Sequence, residues 1–210
     1  MAATDAKSPA RIDKRRSILD AAAPLFADEG YERASVDAIA SSAGVSKPTV
    51  YAYFGNKEEL FRETMADIAR DVNAASCDAV ISLDLHPDRW AASLRDVALA
   101  LTNCQREGCA ASLMRLVLAE SRRDPLVYEQ VRRAGFEPVL QAIAGRLAML
   151  ANAGFLEIDD PVEAAQHFVA LTQYRVNELT VGGTVPGDSD QVAKAVDSGV
   201  TAFLRAYGVG

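Results

Sequence analysis

The starts of its helices are the features of this chain that most restrict its fold. Asn56-Lys57-Glu58-Glu59 places a capping Asn three positions before a Glu, a pattern that satisfies two otherwise unpaired donors at a helix start. Asp124-Pro125 and Asp160-Pro161-Val162-Glu163 set Asp at the cap and Pro at the first helical position, where a missing N–H costs nothing. Asp188-Ser189-Asp190-Gln191 opens a last helix in the same way. Between these signals alanine and leucine recur at helical spacing, and no stretch sustains the alternation of a strand. The expectation is an all-α protein of about nine helices. With 210 residues it forms one domain, or two small ones sharing a core, and needs no disulfide or metal to fold. Pro24 departs from the pattern. It falls inside the first apolar stripe (Ile18, Ala22, Leu25, Phe26), so a kink is expected near Ala21 to Pro24.

Several function classes drop out early. Three cysteines (Cys77, Cys104, Cys109) are too few and too odd for a secreted disulfide framework and read as small buried hydrophobes. Neither histidine, His86 or His167, lies near a cysteine in sequence, so no metal site and no cofactor is expected. No signal-peptide core and no apolar run of membrane-spanning length is visible, which points to a cytoplasmic chain without a membrane partner. No phosphate loop and no Ser/His/Asp arrangement suggests an enzyme.

The N-terminal sixty residues are the most informative. After Gly30, Ser35 can cap a short helix whose buried face is Val36, Ile39, Ala40 and Ala43. Gly44 then permits positive φ in a tight turn, Val45 plugs that turn, and Ser46 caps a second short helix, Lys47 to Phe54. Two short helices joined by a Gly-containing turn form a helix-turn-helix, whose second helix enters the major groove by its N-terminal end. Val50 and Phe54, four apart, make the buried edge of that helix. Lys47 is then placed to donate to guanine O6 or N7, and Thr49 to meet a base edge or phosphate. Tyr51, Tyr53 and Lys57 suit phosphate oxygens, helped by the helix N-terminus after Asn56.

Residues 16–62 closely resemble the DNA-binding domain of TetR-family transcriptional regulators. The likeness rests on Ile18-Leu19-Asp20-Ala21-Ala22, Gly30-Tyr31, Ile39-Ala40, Ala43-Gly44-Val45-Ser46-Lys47-Pro48-Thr49-Val50-Tyr51, Tyr53-Phe54 and Asn56-Lys57-Glu58-Glu59-Leu60-Phe61. Residues 1–10 read as a disordered tail, and the resemblance implies a three-helix DNA-binding head over residues 11–56 and an effector-binding and dimerisation body over 57–210. It implies DNA contacts at Ser35, Lys47, Pro48, Thr49, Tyr51, Tyr53 and Lys57. Asp37 stands where some members carry a basic base-reading residue, and is expected to complement the N-terminal dipole of its helix.

The body is less legible. The resemblance implies a homodimer built on the last two helices. Ala195, Gly199 and Ala202 form a small-residue stripe, with Val192, Val196, Val200 and Phe203 the adjoining apolar face. It also implies an effector pocket, for which Trp90, Phe136, His167, Gln173, Tyr174 and Asn177 are the polar or aromatic candidates on otherwise apolar helices. The function expected is a regulator, most simply a repressor. As a dimer it binds a pseudo-palindromic double-stranded operator, its recognition helices about 34–36 Å apart, until a small apolar or amphipathic effector releases it. The alternative is a DNA-binding protein whose body engages a protein partner instead. The net charge of -7 does not oppose DNA binding: residues 1–62 hold nine basic and nine acidic side chains, so the body carries the whole excess. Arg11, Lys14, Arg15 and Arg16 cluster at the start of the first helix, within reach of a DNA backbone.

Overall fold

The computed structural model describes residues 9–106, 108–182 and 185–209. Among them the chain forms ten α-helices: α1 Pro9–Arg33, α2 Val36–Ser42, α3 Lys47–Phe54, α4 Lys57–Ile81, α5 Trp90–Arg106, α6 Gly108–Ser121, α7 Pro125–Val131, α8 Glu137–Asn152, α9 Pro161–Leu179 and α10 Ser189–Tyr207. A π-helical turn, Arg132–Phe136, lies between α7 and α8. No strand occurs among the described residues; Leu156 and Gly208 share an isolated bridge. No described helix is long and apolar enough to cross a membrane.

The capping signals act as written. Ser35 and Ser46 accept hydrogen bonds from Asp37 N and Thr49 N, and Asn56 Oδ1 accepts from Glu59 N at 2.7 Å. Asp124, Asp160 and Asp188 do the same for α7, α9 and α10. A side-chain cap of this kind stabilises by about 1 kcal/mol. The expected break in the first helix is displaced. The helix runs through Pro24, and the backbone leaves helical dihedrals at Gly30, with φ 75° and ψ 174°. That conformation suits glycine, whereas the absent Pro24 donor forfeits one bond without ending the helix. Of the expected tail over 1–10, residues 1–8 lie outside the described part; α1 already begins at Pro9.

The chain separates into two compact units. The first holds residues up to Ile68 together with Leu113–Arg132; the second holds Ala69–Ser112 and Arg133 onward. The first unit thus reaches beyond residues 11–56 and includes a segment of the expected body. Its core is Ile18, Leu19, Phe26, Ile39, Val50, Leu60 and Phe61, all nearly or fully buried. Phe26 and Tyr31 each meet the Phe61 ring edge-on, at 4.9 and 5.2 Å between centroids. In the second unit α9 packs on α8, α10 and α5. Phe168 and Phe203 cross edge-on at 5.2 Å in its centre, and Trp90 stacks on Phe155 at 5.5 Å.

Candidate nucleic-acid interface

The site is built from α2, the turn after it, and α3, all inside the first unit. Gly44 takes φ +67° in the turn, and Val45 N returns a hydrogen bond to Ala40 O at 3.0 Å. The Ser46 cap then launches α3 with Val50 and Phe54 buried. This rotation leaves Lys47, Pro48 and Tyr51 on the exposed side, Tyr51 at 38% exposure. Thr49 and Tyr53 are half-buried, and the Thr49 hydroxyl is 2.8 Å from that of Ser46. Ser35 caps α2, so its hydroxyl oxygen is already engaged by Asp37 N at 3.2 Å.

Two features of this surface escape a reading of the sequence. Lys47 Nζ donates to Asp37 Oδ2 at 2.8 Å, linking the first turns of α2 and α3. That hydrogen bond, and then the carboxylate's charge, raise the Lys47 ammonium above its ordinary pKa. Lys57, at the start of α4, donates to Glu32 O at 3.1 Å and lies 4.7 Å from the centroid of the Tyr31 ring. The Arg123 guanidinium also sits over Tyr31, at 3.8 Å. The Tyr31 hydroxyl donates to Glu58 Oε1 at 2.8 Å; burial and then this bond raise the phenol's pKa, and the same bond holds Glu58 below the usual carboxylate range. Arg123 offers no sequence signal for this contact, because nothing local ties α6 to the end of α1.

The basic cluster of α1 is partly spoken for. Arg15 pairs with Glu63 and lies over Phe54, and Arg16 pairs with Asp20 at 2.8 Å and Asp67 at 3.1 Å. Lys14 is exposed, and the Arg11 side chain lies outside the described part.

In the second unit the six effector candidates do not converge. Trp90 stacks on Phe155, Phe136 is half-buried in the π-helical turn, and exposed His167 bonds through Nδ1 to the Tyr207 hydroxyl. Gln173 is buried and donates through Nε2 to Thr102 Oγ1 at 2.9 Å, while its Oε1 is buried with no hydrogen-bond partner. Gln173, Tyr174 and Asn177 line an open groove of about 640 Å³ along α9 and α10. Tyr174 is 70% exposed there.

The candidate interface residues divide into two sets. Val192, Val196, Val200 and Phe203 face inward and are part of the unit's own core, so they are not available to a second chain. The reason is the amphipathicity of α10: its strongest apolar face is consumed by α9 and α5. Ala195, Gly199 and Ala202 line the groove. Gly199 also lets α9 approach, since a Cβ there would lie 2.3 Å from Leu171 O.

Comparison with known proteins agrees with this geometry. Residues 18–64 match the family described as bacterial regulatory proteins, tetR family, and residues 92–209 match the C-terminal domain of the AefR-like transcriptional repressor. The chain resembles the crystal structure of a TetR-family regulator from Mesorhizobium loti, with TM-score 0.83 and 31% identity, over 94% of this chain and 98% of that one. The flavonoid-responsive regulator FrrA is similar with TM-score 0.76 and 29% identity, over 93% and 97% of the two chains. The HTH-type transcriptional regulator YhgD of Bacillus subtilis is 36% identical over 69 residues, 33% of this chain and 36% of YhgD. The chain therefore spans well under two thirds of that curated relative's length. With a helix-turn-helix head matched at one end and a family body matched over more than half of its length, this chain belongs to the TetR family of DNA-binding transcriptional regulators.

Proposed function

We propose that the protein is a cytoplasmic homodimeric repressor that holds a pseudo-palindromic operator until a small amphipathic effector releases it. The observation that carries the reading is the exposed N-terminal side of α3, where Lys47, Pro48 and Tyr51 stand clear of the Val50–Phe54 edge. A repressor is favoured by the likeness of residues 92–209 to a repressor's C-terminal domain. Tyr51 and Lys57 take phosphates, positioning the helix without reading sequence. In gel-shift titrations Tyr51→Phe and Lys57→Ala are expected to weaken binding to all duplexes alike, the lysine change also lowering the salt slope by about 1. Unchanged affinity for either variant refutes its phosphate role.

Dimerisation is assigned to the groove on α9 and α10, lined by Leu171, Tyr174, Ala195 and Ala202. Tyr174 is so exposed that its replacement leaves the core intact, yet a carboxylate there is buried unpaired in a dimer. Tyr174→Asp is expected to sediment as a monomer at micromolar concentration and to lose most operator affinity, with a melting curve like that of the parent. A dimeric Tyr174→Asp places the interface elsewhere. For the effector, the likeness to a flavonoid-responsive regulator favours a hydroxylated aromatic.

A further inference from the structure

We propose that Asp37 and Lys47 work as one reading unit that recognises a guanine–cytosine pair in the major groove. This rests on the reading that Lys47 meets a base edge. The two side chains come from different helices, yet Lys47 Nζ and Asp37 Oδ2 are 2.8 Å apart. Both remain open to a ligand, with 44% of the lysine and 68% of the aspartate side chain exposed. Lys47 opens α3 and Asp37 lies in the first turn of α2, so the pair sits at the end of the recognition helix that enters the groove.

The pair presents a donor and an acceptor one hydrogen-bond length apart. A guanine–cytosine pair presents the converse: O6 of guanine and N4–H of cytosine, themselves about 2.9 Å apart because they are hydrogen-bonded to each other. Lys47 donating to O6 also gains N7 beside it, a second acceptor on the same base. Asp37 accepting from N4–H meets only the cytosine ring edge on its far side. Against adenine–thymine the match fails at both flanks. Lysine on thymine O4 meets the methyl group, and aspartate on adenine N6 meets the N7 acceptor.

Asp37 has a second consequence. A carboxylate close to a duplex is repelled by the phosphates, and here Lys47 neutralises it only while the two stay together. The pair therefore contributes little to general attraction and much to selection. In a relative with a basic residue at this position, both groups would attract any duplex.

The test is selection of bound DNA from a random pool, using the full chain and its Asp37→Ala, Asp37→Asn and Lys47→Ala variants. Melting curves confirm that each variant is folded. The parent is expected to select a guanine–cytosine pair at one position of each half-site, and exchange for adenine–thymine there to weaken binding roughly 10-fold. Asp37→Ala and Lys47→Ala are each expected to lose that preference at the same position. Asp37→Ala is further expected to bind mixed-sequence DNA more tightly, with a salt slope steeper by about 1. If Lys47→Ala relaxes the position and Asp37→Ala does not, the paired reading is overturned while the lysine contact stands. A Lys47→Ala motif identical to the parent's removes the base-reading role of Lys47 and the proposal with it.

Discussion

Gly199→Val is expected to lower the melting temperature by roughly 6–12 °C, the equivalent of about 3 kcal/mol for a chain of this length. A Cβ at Gly199 would stand 2.3 Å from Leu171 O, 2.7 Å from Leu171 C and 2.8 Å from Thr172 Cα. All three are backbone atoms of α9, so no side chain can swing aside to make room. Relief requires α9 and α10 to separate, and α9 is held by α8 and α5 as well. The cost is strain plus lost packing around the buried Phe168–Phe203 pair. Gly145→Ala is the matched control. This position is exposed within α8, and a Cβ there meets nothing within 4 Å. Alanine should stabilise the helix by about 0.5–1 kcal/mol through backbone entropy. Thermal unfolding followed by far-ultraviolet circular dichroism separates the two, and a Gly199→Val protein as stable as the parent contradicts the close approach of α9 and α10.

Asp124→Ala is expected to cost about 3 kcal/mol, because one carboxylate does two tasks. It caps α7 by accepting from Leu126 N at 3.2 Å, and it accepts from Arg62 Nη1 at 3.1 Å. The Arg62 and Asp124 side chains are each only 14% exposed. Alanine leaves the guanidinium in a poorly solvated place with Glu59, at 2.7 Å, as its remaining carboxylate partner. That retained partner keeps the electrostatic loss at about 2 kcal/mol, below the usual figure for breaking a buried pair, and the cap contributes about 1 kcal/mol more. Asp124→Asn keeps an effective cap while removing the charge, so urea unfolding should find it intermediate. Equal destabilisation by Asn and Ala would assign the whole effect to the ion pair.

Local chemistry was readable in the sequence where one turn of chain contains both partners. Ser35, Ser46, Asn56, Asp124, Asp160 and Asp188 cap helices within three residues of themselves, and Gly44 needs its positive φ for the turn that follows. Features that depend on distant partners were not. An apolar stripe on α10 looks the same whether a second chain or α9 covers it, and only the three-dimensional packing assigns Val192, Val196, Val200 and Phe203 to the core. His167 and Tyr174 share a face by spacing, but the face is open to solvent. Arg123 over Tyr31 joins residues far apart in sequence and follows no pattern. Asp37 and Lys47 fall between these cases. Their contact follows from the geometry of two helices and one turn, although each residue taken singly suggests a different role.

The chain contains a single tryptophan, and Trp90 lies against Phe155 in the second unit. Indole emission from this protein therefore has one source, far along the sequence from the helix-turn-helix. Titration with an effector can be followed by that light without a label. A change in emission on adding operator alone would mean that occupancy of the head is felt at the start of α5, making one native chromophore an optical gauge of communication between the units.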